Sequence, residues 1–329
     1  MAVYYVSSLA SGSGDGSYES PWTLEEAAAN AEAGDEVRIM ADGTYLPSAT
    51  IAPAAVGSAN AYVTYVGANS SGEVDGTRPL ISGANLPANT DIFSFGTAQT
   101  AQQHFEFRGL EIANSPRHAI YSNLTVYGML INCVIHDSVN SGCHAISSAS
   151  KFVVDRCYLY NNGIGLGNNN NSRFSGSIVR NCMFTNNTVG LLNGPSCTIQ
   201  SNLFLRNGYG IQANNYLTET TITNNVFYGS TNDAILLNTA AGSRSNIISD
   251  NIFRSNGGYA INNYDSLDYR LYNNCFSNNT SGDTDLGTIS GNGNIHEDPL
   301  FVSETLGSED FRLQSTSPCK DAGRNPYGY

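Results

Sequence analysis

Side chains that can move a proton or bind a carboxylate are concentrated between residues 117 and 156. They are Arg117, His118, His136, Asp137, His144, Lys151, Asp155 and Arg156. An imidazole can abstract a proton near neutral pH, and a guanidinium can neutralise an adjacent carboxylate. Brought together, such residues favour proton abstraction beside the carboxylate of a uronic acid. The alternative is that they are surface residues with no shared site. Which of the two holds depends on whether the fold brings these residues together.

The fold is predicted by a phrase that recurs at intervals of roughly 20 to 26 residues, a period typical of solenoids. Aligned copies share an aliphatic position, then a small or amide position, then a large apolar position. The aliphatic column is Leu130, Val154, Val179, Ile199, Ile222, Ile248 and Leu271. The small or amide column is Cys133, Cys157, Cys182, Asn202, Asn225, Asn251 and Asn274. The large apolar column is Ile135, Leu159, Phe184, Phe204, Phe227, Phe253 and Phe276.

Each copy continues with an Asn- or Ser-containing turn and then a small residue followed by an aliphatic one. Asn and Gly tolerate the left-handed backbone that tight turns need. Leucine-rich repeats have a similar period, but they require closely spaced leucines, and here Asn, Gly, Ser and Thr fill each copy. The pattern therefore predicts an all-β fold, a right-handed parallel β-helix with the Asn column in a structural role.

The repeat places two of the histidines on neighbouring coils. His118 precedes Ala119-Ile120 and His144 precedes Ala145-Ile146, so this alignment predicts that they stack one strand spacing apart, about 4.8 Å.

Both ends of the chain resemble those of known right-handed β-helix proteins, among them polysaccharide lyases, bacterial surface proteins and phage particle proteins. At the start the resemblance rests on Tyr4-Tyr5-Val6-Ser7, Ser20-Pro21-Trp22-Thr23-Leu24, Ala33-Gly34-Asp35-Glu36-Val37 and Asp42-Gly43-Thr44-Tyr45. At the end it rests on Asp298-Pro299-Leu300-Phe301-Val302, Asp310-Phe311-Arg312-Leu313 and Ser317-Pro318-Cys319-Lys320-Asp321-Ala322-Gly323. The resemblance implies one domain, in which residues 1–50 form an N-terminal cap, 51–280 the coils and 281–329 a loop with a C-terminal closing segment. It carries little information on activity.

A short capping helix is predicted near residues 23–33, because Thr23 and Glu26 have the spacing of a capping box. The helix is expected to cover the open end of the coil, since the terminal repeats of a solenoid must shield its core.

Composition excludes several classes of protein. The net charge of −13 disfavours binding to nucleic acid phosphates. The first residues lack the pattern of a secretory signal, and no apolar run is long enough to span a membrane. Three of the seven cysteines share one column and are predicted to be buried free thiols, which suits synthesis in a cytosol.

No catalytic motif is recognised. The lyases that the chain resembles generally use a Lys or Arg base, often with calcium, whereas only two lysines are present, Lys151 and Lys320. No metal site and no cofactor are predicted; calcium would be compatible with the fold, but no acidic loop of calcium-binding spacing is found. With no lysine–arginine or carboxylate pair recognised on stacked coils, the sequence leans against an enzyme. If it is one, the candidate catalytic residues are His118, His144, His136, Asp137 and Arg117.

A contact surface is predicted from the position before the large apolar column. If strand alternation sends these residues outward, they form an apolar stripe, defined as Val134, Tyr158, Met183, Leu203, Val226 and Ile252. The sequence therefore favours a non-enzymatic structural or adhesive protein at the surface of a phage particle, made in the host cytoplasm. A capsid decoration, head fibre or tailspike-like protein would fit. Its expected partners are other virion proteins, further copies of itself, for example in a trimer, and host polysaccharide. The alternative is a lyase, epimerase or glycosidase acting on acidic polysaccharide.

Overall fold

The chain forms a right-handed parallel β-helix of about eight turns. The computed structural model describes residues 2–54, 57–95, 103–122, 126–145, 150–167, 175–194, 196–214, 219–238, 245–263, 269–285 and 292–323. Within them, three parallel sheets of 11, 9 and 9 strands run along the coil, and most turns contribute one strand to each sheet. The predicted fold is confirmed.

The three sheets follow one another around the coil. The first contains Val3–Val6, Glu36–Met40, Val63–Ala68, Gln103–Arg108, Val126–Ile131, Lys151–Asp155, Ile178–Arg180, Thr198–Gln200, Thr221–Thr223, Asn246–Ser249 and Tyr269–Tyr272. The second contains Leu80–Ser82, Glu111–Ala113, Val134–His136, Tyr158–Tyr160, Met183–Thr185, Leu203–Leu205, Val226–Tyr228, Ile252–Arg254 and Cys275–Ser277. The third contains Phe93–Phe95, His118–Ser122, Ser141–Ala145, Ile164–Leu166, Val189–Asn193, Tyr209–Asn214, Ile235–Asn238, Tyr259–Asn263 and Gly282–Thr284.

The core is built from like residues stacked in register. Phe184, Phe204, Phe227, Phe253 and Phe276 have successive ring centroids 4.9, 4.8, 4.9 and 5.3 Å apart, with ring planes within 7° of parallel. All five are buried. Because strand spacing in a sheet is about 4.8 Å, this stacking follows directly from the repeat.

The amide column satisfies the backbone at a turn between the first and second sheets. Asn225 Oδ1 accepts the Asn202 amide at 2.9 Å, and Asn225 Nδ2 donates to the Ile199 carbonyl at 3.0 Å. Higher in the stack a thiol performs both roles, because Cys157 Sγ accepts the Cys133 amide at 3.4 Å and donates to a carbonyl of the preceding coil at 3.2 Å. Both residue types therefore satisfy buried polar groups that would otherwise lack a partner.

The column cysteines Cys133, Cys157 and Cys182 are buried and free, as predicted. Burial raises the pKa of Cys133 and Cys157, so these thiols stay protonated. They are structural groups of the core.

A helix at Leu24–Asn30 follows the first strand. Thr23 Oγ1 accepts the Glu26 amide at 3.1 Å, and Glu26 Oε2 accepts the Thr23 amide at 2.9 Å, which is the predicted capping box. The strands Val3–Val6 and Glu36–Met40 on either side of the helix already belong to the first sheet. In the described part of the chain, no helix combines the length and apolar character needed to cross a membrane.

An antiparallel pair of strands, Phe301–Ser303 and Asp310–Leu313, follows the last coil and is called here the C-terminal hairpin. It lies against the lower coils of the second sheet, where the Phe311 and Tyr228 rings are 5.0 Å apart. A short 3₁₀ turn at Gly83–Asn85 interrupts one early coil.

Candidate functional site

The outer face of the first sheet carries charged residues on three of four consecutive coils. In Gln103–Arg108 the side chains of Phe105 and Phe107 are buried in the core, so alternation directs Glu106 and Arg108 outward. In the row of Arg108, the next three coils place Ile131, Asp155 and Arg180 outward, so two of these three positions are charged. The site is therefore a product of strand stacking.

These residues line an open groove, called here the arginine cleft, with a volume of about 720 Å³. Three arginines dominate it, Arg108, Arg156 and Arg180. Its remaining lining residues are Glu106, Met129, Ile131, Asn132, Val153 and Asp155. Arg108 and Arg180 occupy one row across the sheet, with Ile131 and Asp155 between them in register.

Two buried carboxylates hold the arginines in place. The Asp155 carboxylate lies 3.3 Å from the Arg180 guanidinium, 3.5 Å from that of Arg156 and 2.9 Å from the Asn181 amide. The Glu106 carboxylate accepts two hydrogen bonds from Arg108, at 2.5 and 2.9 Å.

The cleft consequently keeps an excess of positive charge. Three guanidiniums face two carboxylates, and the side chains of Arg108, Arg156 and Arg180 are 49%, 64% and 50% exposed. Glu106 and Asp155 are buried beneath them. Each arginine therefore has donors directed at solvent or at a ligand.

Further polar side chains border the cleft. Arg78 donates to the Asn132 carbonyl at 3.0 Å and to its side chain at 2.5 Å, which places a fourth guanidinium beside it. On the same outward face of the sheet, Lys151 is exposed and pairs in register with Tyr127. The His104 ring stacks on Tyr127 at 4.7 Å. This face therefore combines cations with an aromatic residue.

Sequence reasoning missed most of this site. It recorded Lys151, Asp155 and Arg156 but not Arg108 or Arg180, and the premise that no lysine and arginine lie on stacked coils was wrong. The signal was present: Arg108 and Arg180 both come one residue after an inward apolar residue of the first sheet, a position that alternation turns outward.

The candidate histidines His118 and His144 meet on the third sheet. Their ring centroids are 4.1 Å apart, and both rings lie near the Tyr121 ring, at 5.7 and 5.6 Å. The predicted alignment was nevertheless wrong, because His144 pairs in register with Tyr121 and the residue opposite His118 is Ser141.

The alignment error has a clear cause in the core. Cys143 is an inward apolar residue of this coil, since it pairs with Ile120 above and Leu166 below, whereas the predicted alignment had assigned this role to Ile146. A cysteine in an aliphatic column was not recognised as such. Ile146 lies outside the described residues.

The histidine pair is enclosed and neutral. Burial lowers the pKa of His118 to about 4, with a further contribution from the Arg117 charge. Burial also lowers the pKa of His144 to about 3, and the adjacent His118 acts in the same direction. Arg117 itself is paired with Asp91, with its Nε 2.8 Å from the carboxylate. Both imidazoles are only 6% exposed, so a substrate has little access to them.

The other two candidates lie on the second sheet, apart from that pair. His136 contacts Asp137 at 2.6 Å and Glu111 at 3.1 Å, and its ring stacks on Tyr160 at 4.5 Å. The five predicted catalytic residues are thus divided between two faces. Arg117, His118 and His144 are brought together, and His136 with Asp137 forms a separate cluster.

The predicted apolar stripe lies on the outer face of the second sheet. Its members pair in register from Val134 through Ile252, and they are half-buried or exposed whereas the residue that follows each of them is buried. At the lower end Val226 and Ile252 line a cavity together with Leu313 and Cys319. Part of the stripe therefore faces the chain's own C-terminal segment.

A family model described as periplasmic copper-binding protein (NosD) matches residues 96–292. The chain belongs to the NosD family. The matched region spans the coils that carry the arginine cleft. A search of curated protein sequences gave no significant match.

Solved structures similar to this NosD-family chain share its fold. Pectate lyase Pel9A has a TM-score of 0.77 at 16% identity, over 100% of this chain and 93% of that one. An alginate lyase from Paenibacillus sp. str. FPU-7 has a TM-score of 0.59 at 13% identity, over 90% and 99%. The lacto-N-biosidase of Eubacterium ramulus has a TM-score of 0.56 at 12% identity, over 89% and 67%. At these identities the likeness concerns the fold alone.

The family assignment corrects the expected location. A virion-surface protein was predicted, but the NosD family is described as periplasmic, so that expectation was wrong. The phage, capsid and tailspike expectations have no support among the similar proteins, whose structural examples include polysaccharide lyases.

The described residues do not fit the copper site that the family description suggests. Within the described ranges, no three His, Cys, Asp or Glu side chains are grouped so that they could hold a metal ion. His118 and His144 have neutral rings, but these pack against one another at 4.1 Å with only 34° between their planes. Nitrogen lone pairs lie in the ring plane, so two rings packed in this way do not converge well on one ion.

Proposed function

We propose that this chain binds an acidic polysaccharide in the arginine cleft. The observation that carries the proposal is the alignment of three partly exposed guanidiniums along one groove, in a chain whose net charge is −13. In so acidic a protein, a cationic groove marks a place where negative charge is attracted.

The arrangement suits carboxylates on a repeating polymer. Guanidinium groups bind carboxylates through paired hydrogen bonds. Arg108 and Arg180 lie three strands apart, a separation of about 14 Å at the usual strand spacing. A sugar chain running along the helix axis would therefore meet cations at the first, third and fourth of these coils. Because Glu106 and Asp155 already fix the arginines, little side-chain entropy is lost on binding.

Cleavage of the bound polymer by β-elimination is a second candidate function. The observation that favours it is the position of Lys151, which lies on the same outward face as the cleft and beside Tyr127. A base at this position would remove the proton next to the uronate carboxylate, and an arginine would stabilise the charge that develops on that carboxylate. A carbon–carbon double bond would then form in the sugar ring as the glycosidic C–O bond breaks, and the leaving oxygen would take a proton from the protonated base or from water. The pectate and alginate lyases of similar fold support this reading.

We assign the chain to the periplasm, following the description of its family. Acidic polysaccharides that enter this compartment would be accessible to an open groove, which needs no conformational change to admit a polymer.

Binding is tested with polygalacturonate, alginate and neutral dextran by affinity electrophoresis and calorimetry. The wild-type chain should bind an acidic polymer, bind it less as salt rises, and ignore dextran. The double variant Arg156→Gln/Arg180→Gln should bind at least about tenfold more weakly, because each charged hydrogen bond contributes about 1.5–3 kcal/mol. Arg312→Gln is the matched control, since Arg312 forms an exposed ion pair with Asp310. Equal binding by both variants would contradict the proposal.

Cleavage is followed by the ultraviolet absorbance of unsaturated uronate products. If Lys151 is the base, Lys151→Ala should abolish product formation and leave polymer binding nearly intact. Full activity in that variant would exclude Lys151 as the base while leaving the binding proposal standing.

A further inference from the structure

Two cysteines from distant parts of the chain meet at the lower end of the coil. Cys275 opens the last described strand of the second sheet, Cys275–Ser277, and is buried. Cys319 lies in the segment that follows the C-terminal hairpin and is partly exposed. Both line one cavity with a volume of about 270 Å³.

Polar contacts hold the hairpin region against the coil. Arg254 binds Asp298 at 2.9 Å and Glu304 at 3.1 Å, and Arg206 forms an ion pair with Glu309. These contacts fix the path of the chain on the approach to Cys319. They place the segment of Cys319 over the cavity that Cys275 also lines.

The pair differs from the other described cysteines. Five of them, Cys133, Cys143, Cys157, Cys182 and Cys197, belong to the hydrophobic core, whereas Cys275 and Cys319 line the cavity beneath the C-terminal segment. A hydrogen bond between the Cys275 and Cys319 thiols lowers the pKa of Cys319 and raises that of Cys275. Cys319 is consequently the more readily ionised thiol, and the one that a reagent in solution can reach.

We propose that Cys275 and Cys319 form a disulfide that fastens the C-terminal segment to the last coils. The oxidant is a small or protein disulfide of the kind present where thiols are oxidised. The Cys319 thiolate attacks one oxidant sulfur and releases the other as a thiolate, which takes the Cys275 proton. Cys275 then attacks Cys319 Sγ and displaces the second oxidant thiol. Two protein thiols are oxidised and one oxidant disulfide is reduced to two thiols.

The disulfide would strengthen the attachment of the C-terminal hairpin to the coil. Ion pairs and the contact between the Phe311 and Tyr228 rings also hold the C-terminal segment on the coil, and salt screens the exposed ion pairs. A disulfide closes a loop in the unfolded chain and so lowers its conformational entropy, which makes the oxidised protein more stable toward unfolding. Its stability becomes dependent on the redox state of its surroundings.

The test uses the full chain treated either with oxidised glutathione or with dithiothreitol, then alkylated under denaturing conditions. The oxidised sample should show two fewer alkylated cysteines than the seven in the sequence, and a non-reduced digest should contain the peptides of Cys275 and Cys319 joined. Oxidation should also raise the melting temperature, and Cys319→Ser should remove that rise. Cys143→Ala is the control, because its thiol is enclosed elsewhere and the rise should persist.

Three results would overturn the proposal. They are alkylation of all seven cysteines after oxidation, a link between other cysteines, or a stable glutathione adduct on Cys319 with no Cys275 link.

Discussion

The arginine cleft and the histidine pair both result from the stacking of neighbouring coils, but the arginines are exposed and the histidines are buried. Both arise because neighbouring coils place polar residues on one face, about 4.8 Å apart. On the first sheet the arginines rest on buried carboxylates and extend into an open groove. On the third sheet His118 and His144 pack against each other and are enclosed. Stacking concentrates chemistry, and exposure decides whether a ligand can reach it.

The largest expected effect concerns the enclosed histidines. Their pKa values lie below the ordinary value of 6.5, so between pH 6.5 and about 4 the unfolded chain takes up protons that the folded chain does not. The contribution of these histidines to the free energy of unfolding is therefore fully present above pH 6.5 and is lost as the pH falls toward about 4. His118 alone should account for about 3 kcal/mol, at 1.36 kcal/mol per pKa unit. Urea unfolding measured between pH 7 and pH 4 tests this.

The double variant His118→Gln/His144→Gln should lose much of that acid sensitivity, whereas the control His136→Gln on the second sheet should retain it. If the free energy of unfolding of the double variant depended on pH as it does in the wild type, His118 and His144 would not be the cause of the acid sensitivity.

The next effect concerns the carboxylate beneath the cleft. Asp155→Asn leaves two arginines beside a neutral group, and we expect a loss of about 2 kcal/mol. This is less than the 3–5 kcal/mol for a fully buried pair, because both guanidiniums remain half-exposed to water. Asp310→Asn, which breaks an exposed ion pair, is the control and should change the free energy of unfolding little. If Asp155→Asn lowered the free energy of unfolding no more than Asp310→Asn does, the Asp155 carboxylate would not be needed to hold the arginines.

The smallest effect extends the comparison to the second sheet. Ile252 faces the cavity beneath the C-terminal segment, so Ile252→Asp should cost about 1 kcal/mol and loosen that segment. Met183, which is 37% exposed on the same stripe, should tolerate Asp within about 0.5 kcal/mol. Thermal unfolding and limited proteolysis of the C-terminal segment separate the two variants. Equal losses would show that the stripe has one environment along its length. Self-association through the uncovered part of the stripe stays a prediction.

The fold could be predicted because the sequence features that determine it recur along the chain or have a fixed spacing. The phenylalanine column, the asparagine column and the capping box at Thr23 each follow from a local rule that recurs or has a fixed spacing. The outward direction of the apolar stripe also follows from alternation, but no sequence pattern indicated that the C-terminal segment would lie over its lower end.

The site was less predictable because its residues occur once. Arg108 and Arg180 occupy outward positions where other coils carry Gln200 or Thr223, so no column identifies them. His118 and His144 were rightly brought together, but through a wrong alignment that overlooked Cys143 as a core residue. Unique residues on a repetitive scaffold are located only when the register is known at every coil.

The hydrogen bonds of the amide column have a consequence for how such a chain changes in evolution. Each Asn or Cys side chain needs only a backbone amide and a carbonyl from the coil before it, so the interface between any two coils is nearly the same. Gain or loss of one whole coil below the cleft would leave the positions of the arginines as they are. The same event between Arg108 and Arg180 would shift these cations by about 4.8 Å relative to each other. The number of coils between them thereby sets the spacing of positive charges along the groove.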